Sequence, residues 1–84
     1  MKTWHKEIAY KTTNYLNKGD EYFWRAKDKG NQVFYIQKMK NTLFGNIFYS
    51  LIGENLEYGN VYSIRCFDTL PEAIHYANKY VFHD

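Results

Sequence analysis

Residues 21–40, EYFWRAKDKGNQVFYIQKMK, limit what this chain can fold into more than any other stretch. Two runs rich in aromatic and β-branched residues, 22–26 and 33–36, flank Asp28-Lys29-Gly30-Asn31. Such side chains suit the pleated, half-buried surface of a strand. Glycine supplies the positive φ of a tight turn, and Asp and Asn are favoured beside it. The stretch is therefore expected to form a β-hairpin with Lys29-Gly30 at its tip. That register sets Glu21 against Lys38, Phe23 against Ile36, Trp24 against Tyr35 and Ala26 against Val33. Successive strand side chains point to opposite faces, so the register also defines two faces. One carries Tyr22, Trp24, Ala26, Val33, Tyr35, Gln37 and Met39. It holds no formal charge and is expected to be the core face. The other carries Glu21, Phe23, Arg25, Lys27, Gln32, Phe34, Ile36, Lys38 and Lys40. It mixes aromatics with cations and is expected to be a binding surface.

The segments around the hairpin are less uniform. Residues 3–18 support two readings. A helix would align Trp4, Ile8, Thr12, Tyr15 and Leu16, with Thr3 as N-cap and Gly19 as the stop. A strand would align Trp4, Ile8 and Tyr10. The helix is preferred. Residues 43–52 read as a third strand with a bulge at Gly45. Residues 53–60 read as a long polar turn, and residues 61–67 as a fourth strand. The C-terminal helix has the clearest signals. Thr69 and Glu72 have capping-box spacing, and Pro71 falls in the first turn, where its missing N–H is harmless. Leu70, Ala73, Ile74, Ala77, Tyr80 and Val81 then make one apolar stripe. The expected fold is α+β. A small antiparallel sheet of three or four strands, built on the 21–40 hairpin, packs against a C-terminal helix at about 69–81. The uncharged hairpin face receives that helix, and an N-terminal helix precedes the sheet in the preferred reading.

Residues 1–84 are expected to form a single compact domain, since 84 residues support one small core and no linker divides them. Aromatics make up 20% of the chain, nine of them Tyr, more than a core this size can bury with every hydroxyl satisfied. Charge is unevenly distributed. Residues 1–40 hold nine Lys/Arg against four acids, whereas residues 41–84 hold two against five. A single cysteine, Cys66, excludes an internal disulfide framework and suits a reducing cytoplasm. The opening MKTWHKEIAY lacks the apolar core of a signal peptide. No run is apolar for long enough to span a membrane. The expectation is a cytoplasmic protein without membrane contact. A composition leaning to Lys, Asn, Ile and Tyr further suggests an AT-rich bacterial, phage or mobile-element source.

Few residues are placed to do chemistry. His5, His75 and His83 have no metal-ligand spacing among themselves or with Cys66. His75 falls on the polar side of the C-terminal helix. Cys66 alternates with Ile64 and Tyr62 and is expected to be a buried strand residue. The glycines have turn, cap or bulge roles, and none belongs to a phosphate-binding or dinucleotide fingerprint. No catalytic residue, metal site or cofactor is expected, and the chain is read as a non-enzymatic binding module. The first reading is a small protein-interaction, inhibitor or regulatory protein with a protein partner or a second copy of itself. Tyr, Trp, Phe and Arg are the residues that dominate interface hot spots, and open strand edges accept further strands. The alternative is a nucleic-acid-binding protein for single-stranded DNA or RNA. Both use the charged hairpin face: Phe23, Arg25, Lys27, Lys29, Phe34, Lys38 and Lys40. In the second case Phe23 and Phe34 stack on bases while the cations neutralise phosphates.

Overall fold

The computed structural model describes residues 4–13, 15–27 and 30–82. The hairpin forms as strands β2 (Glu21–Ala26) and β3 (Gln32–Lys40). Phe23 pairs with Ile36, Trp24 with Tyr35 and Ala26 with Val33, as the expected register requires. At its open end Lys38 reaches Glu21 at 3.5 Å. Near the tip Gly30 adopts φ 91°, a conformation that side chains resist.

The sheet has five strands rather than three or four, in the order β1-β2-β3-β4-β5, all antiparallel. The extra strand, β1 (His5–Ile8), comes from the segment read as a helix. It pairs with β2, setting Lys6 opposite Phe23 and Glu7 opposite Tyr22. The residues that follow form a loop, not a helix. The Thr13 hydroxyl accepts hydrogen bonds from the amides of Tyr15 and Leu16, at 3.4 and 3.0 Å. Such local side-chain bonding competes with helical backbone pairing. The loop is closed by the Ala9 amide donating to Asp20 (2.8 Å) and the Gly19 amide donating to Ala9 (2.7 Å).

Strands β4 (Ile47–Asn55) and β5 (Asn60–Phe67) complete the sheet. Gly45 and Gly53 exchange the roles expected of them. Gly45 lies in the β3–β4 turn at φ 73°, and Gly53 lies inside β4. A side chain at Gly53 would strike the Tyr62 ring, which lies across it. The β3–β4 and β4–β5 turns share the sequence pattern Asn-x-x-aromatic-Gly-Asn, as NTLFGN and NLEYGN. In each, the leading Asn side chain accepts two amides. Asn41 takes Leu43 and Phe44 at 2.9 and 3.1 Å, and Asn55 takes Glu57 and Tyr58 at 2.9 and 3.2 Å. Gly45 and Gly59 then take positive φ and donate back to the same Asn carbonyls, both at 2.8 Å. The side-chain oxygen thus holds the turn ready-made.

The C-terminal helix matches its expected span. It comprises α1 (Leu70–Tyr76) and a π-helical turn, Ala77–Val81. Thr69 caps it, accepting the Glu72 amide at 3.4 Å and donating its hydroxyl to the Glu72 carboxylate at 3.0 Å. Ala73 and Ala77 lie flat on the sheet, fully buried with Phe34, Ile36, Leu51 and Phe82. The helix therefore covers the charged hairpin face, the reverse of the expected arrangement. The uncharged face receives the 9–20 loop instead. There Leu16 is buried, Tyr15 packs against Tyr35 at 4.9 Å, and Gln37 donates to Asp20 at 2.7 Å. Counting charges misidentified the core face because long cationic side chains can bury their stems while their heads find partners. Phe34 and Ile36, the bulky apolar residues at the middle of β3, decided which face closes.

Candidate interaction surface

Arg25 shows how completely the charged hairpin face is covered. It is 3% exposed, with its guanidinium 3.9 Å from the centre of the Phe82 ring. It donates to the Asn78 side chain at 2.9 Å, and the Trp4 indole donates to the same oxygen at 3.4 Å. The Phe82 ring also meets Phe34 and Trp4 edge-on, at 5.1 and 5.7 Å. Arg25 thus joins β2 to the end of the helix and belongs to the core. Phe34, at 2% exposure, lies beneath it. The remaining residues expected at this site are scattered. Phe23 is half-buried with the Lys6 ammonium 5.9 Å from its ring, and the Lys27 ammonium lies 5.8 Å from the Phe34 ring. Lys38 is engaged with Glu21, and Lys40 is exposed at the end of β3. Lys29 lies outside the described residues. The structure does not assemble the six described residues into one open face, because the helix occupies its centre.

The second face is closed in a different way. Tyr15 and Tyr35 both donate to one Glu54 oxygen, at 3.2 and 3.0 Å, and Tyr22 donates to Glu7 at 2.8 Å. Burial, followed by the bond from Tyr15, raises the Tyr35 phenol far above its ordinary range. Burial and the Glu7 carboxylate push Tyr22 up to about 12. Burial also raises Tyr15, although its contact with Tyr35 opposes this. The Tyr15 hydroxyl holds the loop against the sheet, whereas the Tyr22 and Tyr35 hydroxyls tie neighbouring strands together.

An open surface lies at the sheet's far edge. Among the described residues no strand pairs with the outer side of β5, so its outward amides and carbonyls remain available for an added strand. The opposite edge, β1, is only four residues long, and its Lys6 is tied to Glu21 at 2.8 Å. By contrast β5 has eight residues and one charged side chain, Arg65. The β4–β5 register steps by one residue between Leu51–Arg65 and Ile52–Ser63, leaving Ile64 as the extra residue. Ile64 packs towards the core, and Arg65 comes up beside the helix.

There β5 and the helix line an open groove of about 270 Å³. Arg65 and Phe67 form its strand side. Glu72, Tyr76 and Tyr80, spaced four residues apart, form its helical side, with His75 and Lys79 at the rim. The rings make a ladder: Phe67 to Tyr76 at 5.3 Å and Tyr76 to Tyr80 at 4.7 Å. Cations rest on it. The Arg65 guanidinium is 5.8 Å from Phe67 and 5.4 Å from Tyr76, and the Lys79 ammonium is 5.3 Å from Tyr80. Among the described residues neither cation pairs with a carboxylate. Cys66, expected to be buried, is exposed on β5. His75 is exposed as expected. His83 lies outside the described residues. No three His, Cys, Asp or Glu side chains among the described residues converge as a metal site requires. Nor is any described helix long and apolar enough to cross a membrane.

Sequence reasoning passed over this groove because its two cations are 14 residues apart on different elements, in the half of the chain that is net acidic. One available signal was the Glu72-Tyr76-Tyr80 spacing on a firmly identified helix. Comparison with protein-family models, with curated proteins and with solved structures finds no match to this chain.

Proposed function

We propose that this chain is a non-enzymatic protein-interaction module, and that it binds by adding an extended segment of its partner to β5. The observation that carries this reading is the pairing of a long, nearly uncharged open edge with an aromatic groove directly beside it. An open edge supplies main-chain hydrogen bonds to any extended backbone, and a neighbouring groove reads alternate side chains. Tyr76, Tyr80 and Arg65 are of the residue types enriched at interface hot spots. An inhibitor or regulatory role fits a chain this small.

A peptide-display selection against the full chain tests the reading. Recovered peptides should be extended, proline-poor and alternating in character. N-methylation of their backbone amides should abolish binding at alternate positions only, because only every second amide faces β5. Binding that tolerates N-methylation at every position would refute strand addition. The nucleic-acid reading loses Phe34 as a stacking surface, and its remaining described cations are Lys27, Lys38 and Lys40, with Lys29 outside the described residues. Fluorescence anisotropy with labelled single- and double-stranded DNA and RNA at two salt concentrations tests it directly. Salt-sensitive micromolar binding would favour it over the protein reading.

A further inference from the structure

We infer that the segment received by β5 is acidic, with an Asp or Glu side chain seated in the groove between Arg65 and Lys79. This inference rests on the strand-addition reading above and specifies its partner. Arg65 and Lys79 are the only Lys or Arg in residues 41–84, and the fold brings both into this one groove. Each rests on an aromatic ring rather than on a carboxylate, so its N–H donors remain free to meet an anion from outside. The groove's one acid, Glu72, already takes the Thr69 hydroxyl at the start of the helix. The walls beneath are Phe67, Tyr76 and Tyr80, whose rings give apolar area for the stem of a seated side chain while its carboxylate meets the two cations. A volume of about 270 Å³ suits one or two side chains.

The same charges argue against a second copy as the occupant. Strand β5 contains no acid, so pairing β5 with β5 would offer Arg65 no carboxylate from the added strand. Pairing β5 with the β1 edge of another copy would be head-to-tail. Such contacts propagate into open fibres unless the rotation closes. A different protein offering an acidic strand satisfies both the edge and the groove.

The test uses random nonapeptides displayed against the immobilised full chain, followed by titration of the strongest labelled peptide. Asp or Glu should dominate one fixed position. Replacing that residue with Asn or Gln, or replacing the protein's pair as Arg65→Gln with Lys79→Gln, should weaken binding at least tenfold. Raising the salt concentration should weaken the wild-type complex more than the variant complex. Both cations are exposed, and the variant's unfolding midpoint serves as the control for folding. Recovered peptides that are neutral throughout, or a double variant that binds as tightly as wild type, would overturn the acidic-partner inference while leaving strand addition standing. Recovery of no β5-dependent peptide would overturn both.

Discussion

Replacing Arg25 with alanine asks whether a charged residue organises the contact between helix and sheet. The substitution removes a hydrogen bond from a charged donor to Asn78 and a guanidinium stacked 3.9 Å above Phe82. A hydrogen bond to a charged group is worth about 1.5–3 kcal/mol, and a desolvated cation–π contact about 2 kcal/mol. Relief of the cost of holding a charge at 3% exposure offsets part of that sum. A net loss of about 2–4 kcal/mol follows, which for a domain of this size lowers Tm by roughly 10–20 °C. Circular dichroism melts, checked by urea unfolding, measure it. Lys27→Ala, one residue beyond β2 on the side of the Phe34 ring, should stay within about 0.5 kcal/mol of wild type. Arg25→Met keeps much of the volume and removes the charge with its demand for partners, so it should recover about half of the loss. An Arg25→Ala protein that melts within about 2 °C of wild type would refute the core assignment. So would equal losses at positions 25 and 27.

Alkaline titration gives a second test. Tyr15, Tyr22 and Tyr35 have phenols raised above the ordinary value of 10.0. The native state then holds protons that the unfolded chain releases, so their contribution is full below pH 10 and is lost as pH rises through the native values. Tyrosinate absorbance should show Tyr22 titrating near 12, and stability should fall from about pH 10 upward. Flat stability up to pH 12 would contradict the burial of these phenols and their contacts with Glu54 and Glu7. Thr69→Ala should cost about 1 kcal/mol through loss of the N-cap, measured by urea unfolding. Gly59→Ala should cost about 1–2 kcal/mol in the same assay, because the residue sits at φ 72° with open space around it. Leu43→Ser with Phe44→Ser should change stability by less than about 0.5 kcal/mol, since these side chains are 86% and 82% exposed. A larger loss would show that the β3–β4 turn is supported by contacts beyond Asn41.

Local chemistry was legible in the sequence to the extent that one segment contained all of it. The 21–40 register follows from Gly30 and alternation, and the helix start follows from Thr69, Pro71 and Glu72. Its end, near 81, follows from the apolar stripe. Choosing which hairpin face closes required comparing side chains from distant segments. Asn78 and Phe82 convert Arg25 from a surface cation into a core residue, and no pattern within 21–40 announces them. Strand β1 falls within the strand alternative for residues 3–18, and the sequence favours the helix over it for a related reason. The residues of HKEI are all exposed, with Ile8 as their one apolar side chain, so little within them selects a strand, and β2 supplies the pairing that makes them one. The NTLFGN and NLEYGN turns were readable in principle, since Asn and Gly recur at the same offsets. Their resemblance becomes visible once both are seen to join neighbouring strands. The groove was the least legible feature, being built from a strand edge and a helix flank that meet only in the folded chain.

Hydrogen exchange of the backbone amides, measured with and without a selected peptide, tests the central claim most directly. In the free protein the outward amides of Asn60–Phe67 should exchange far faster than those of β3. In the complex, protection should rise in β5, with smaller changes around Tyr76–Tyr80 and none in β1. Protection confined to β1, the 43–44 turn or the 9–20 loop, with β5 unchanged, would contradict the assignment of this edge and groove as the working surface.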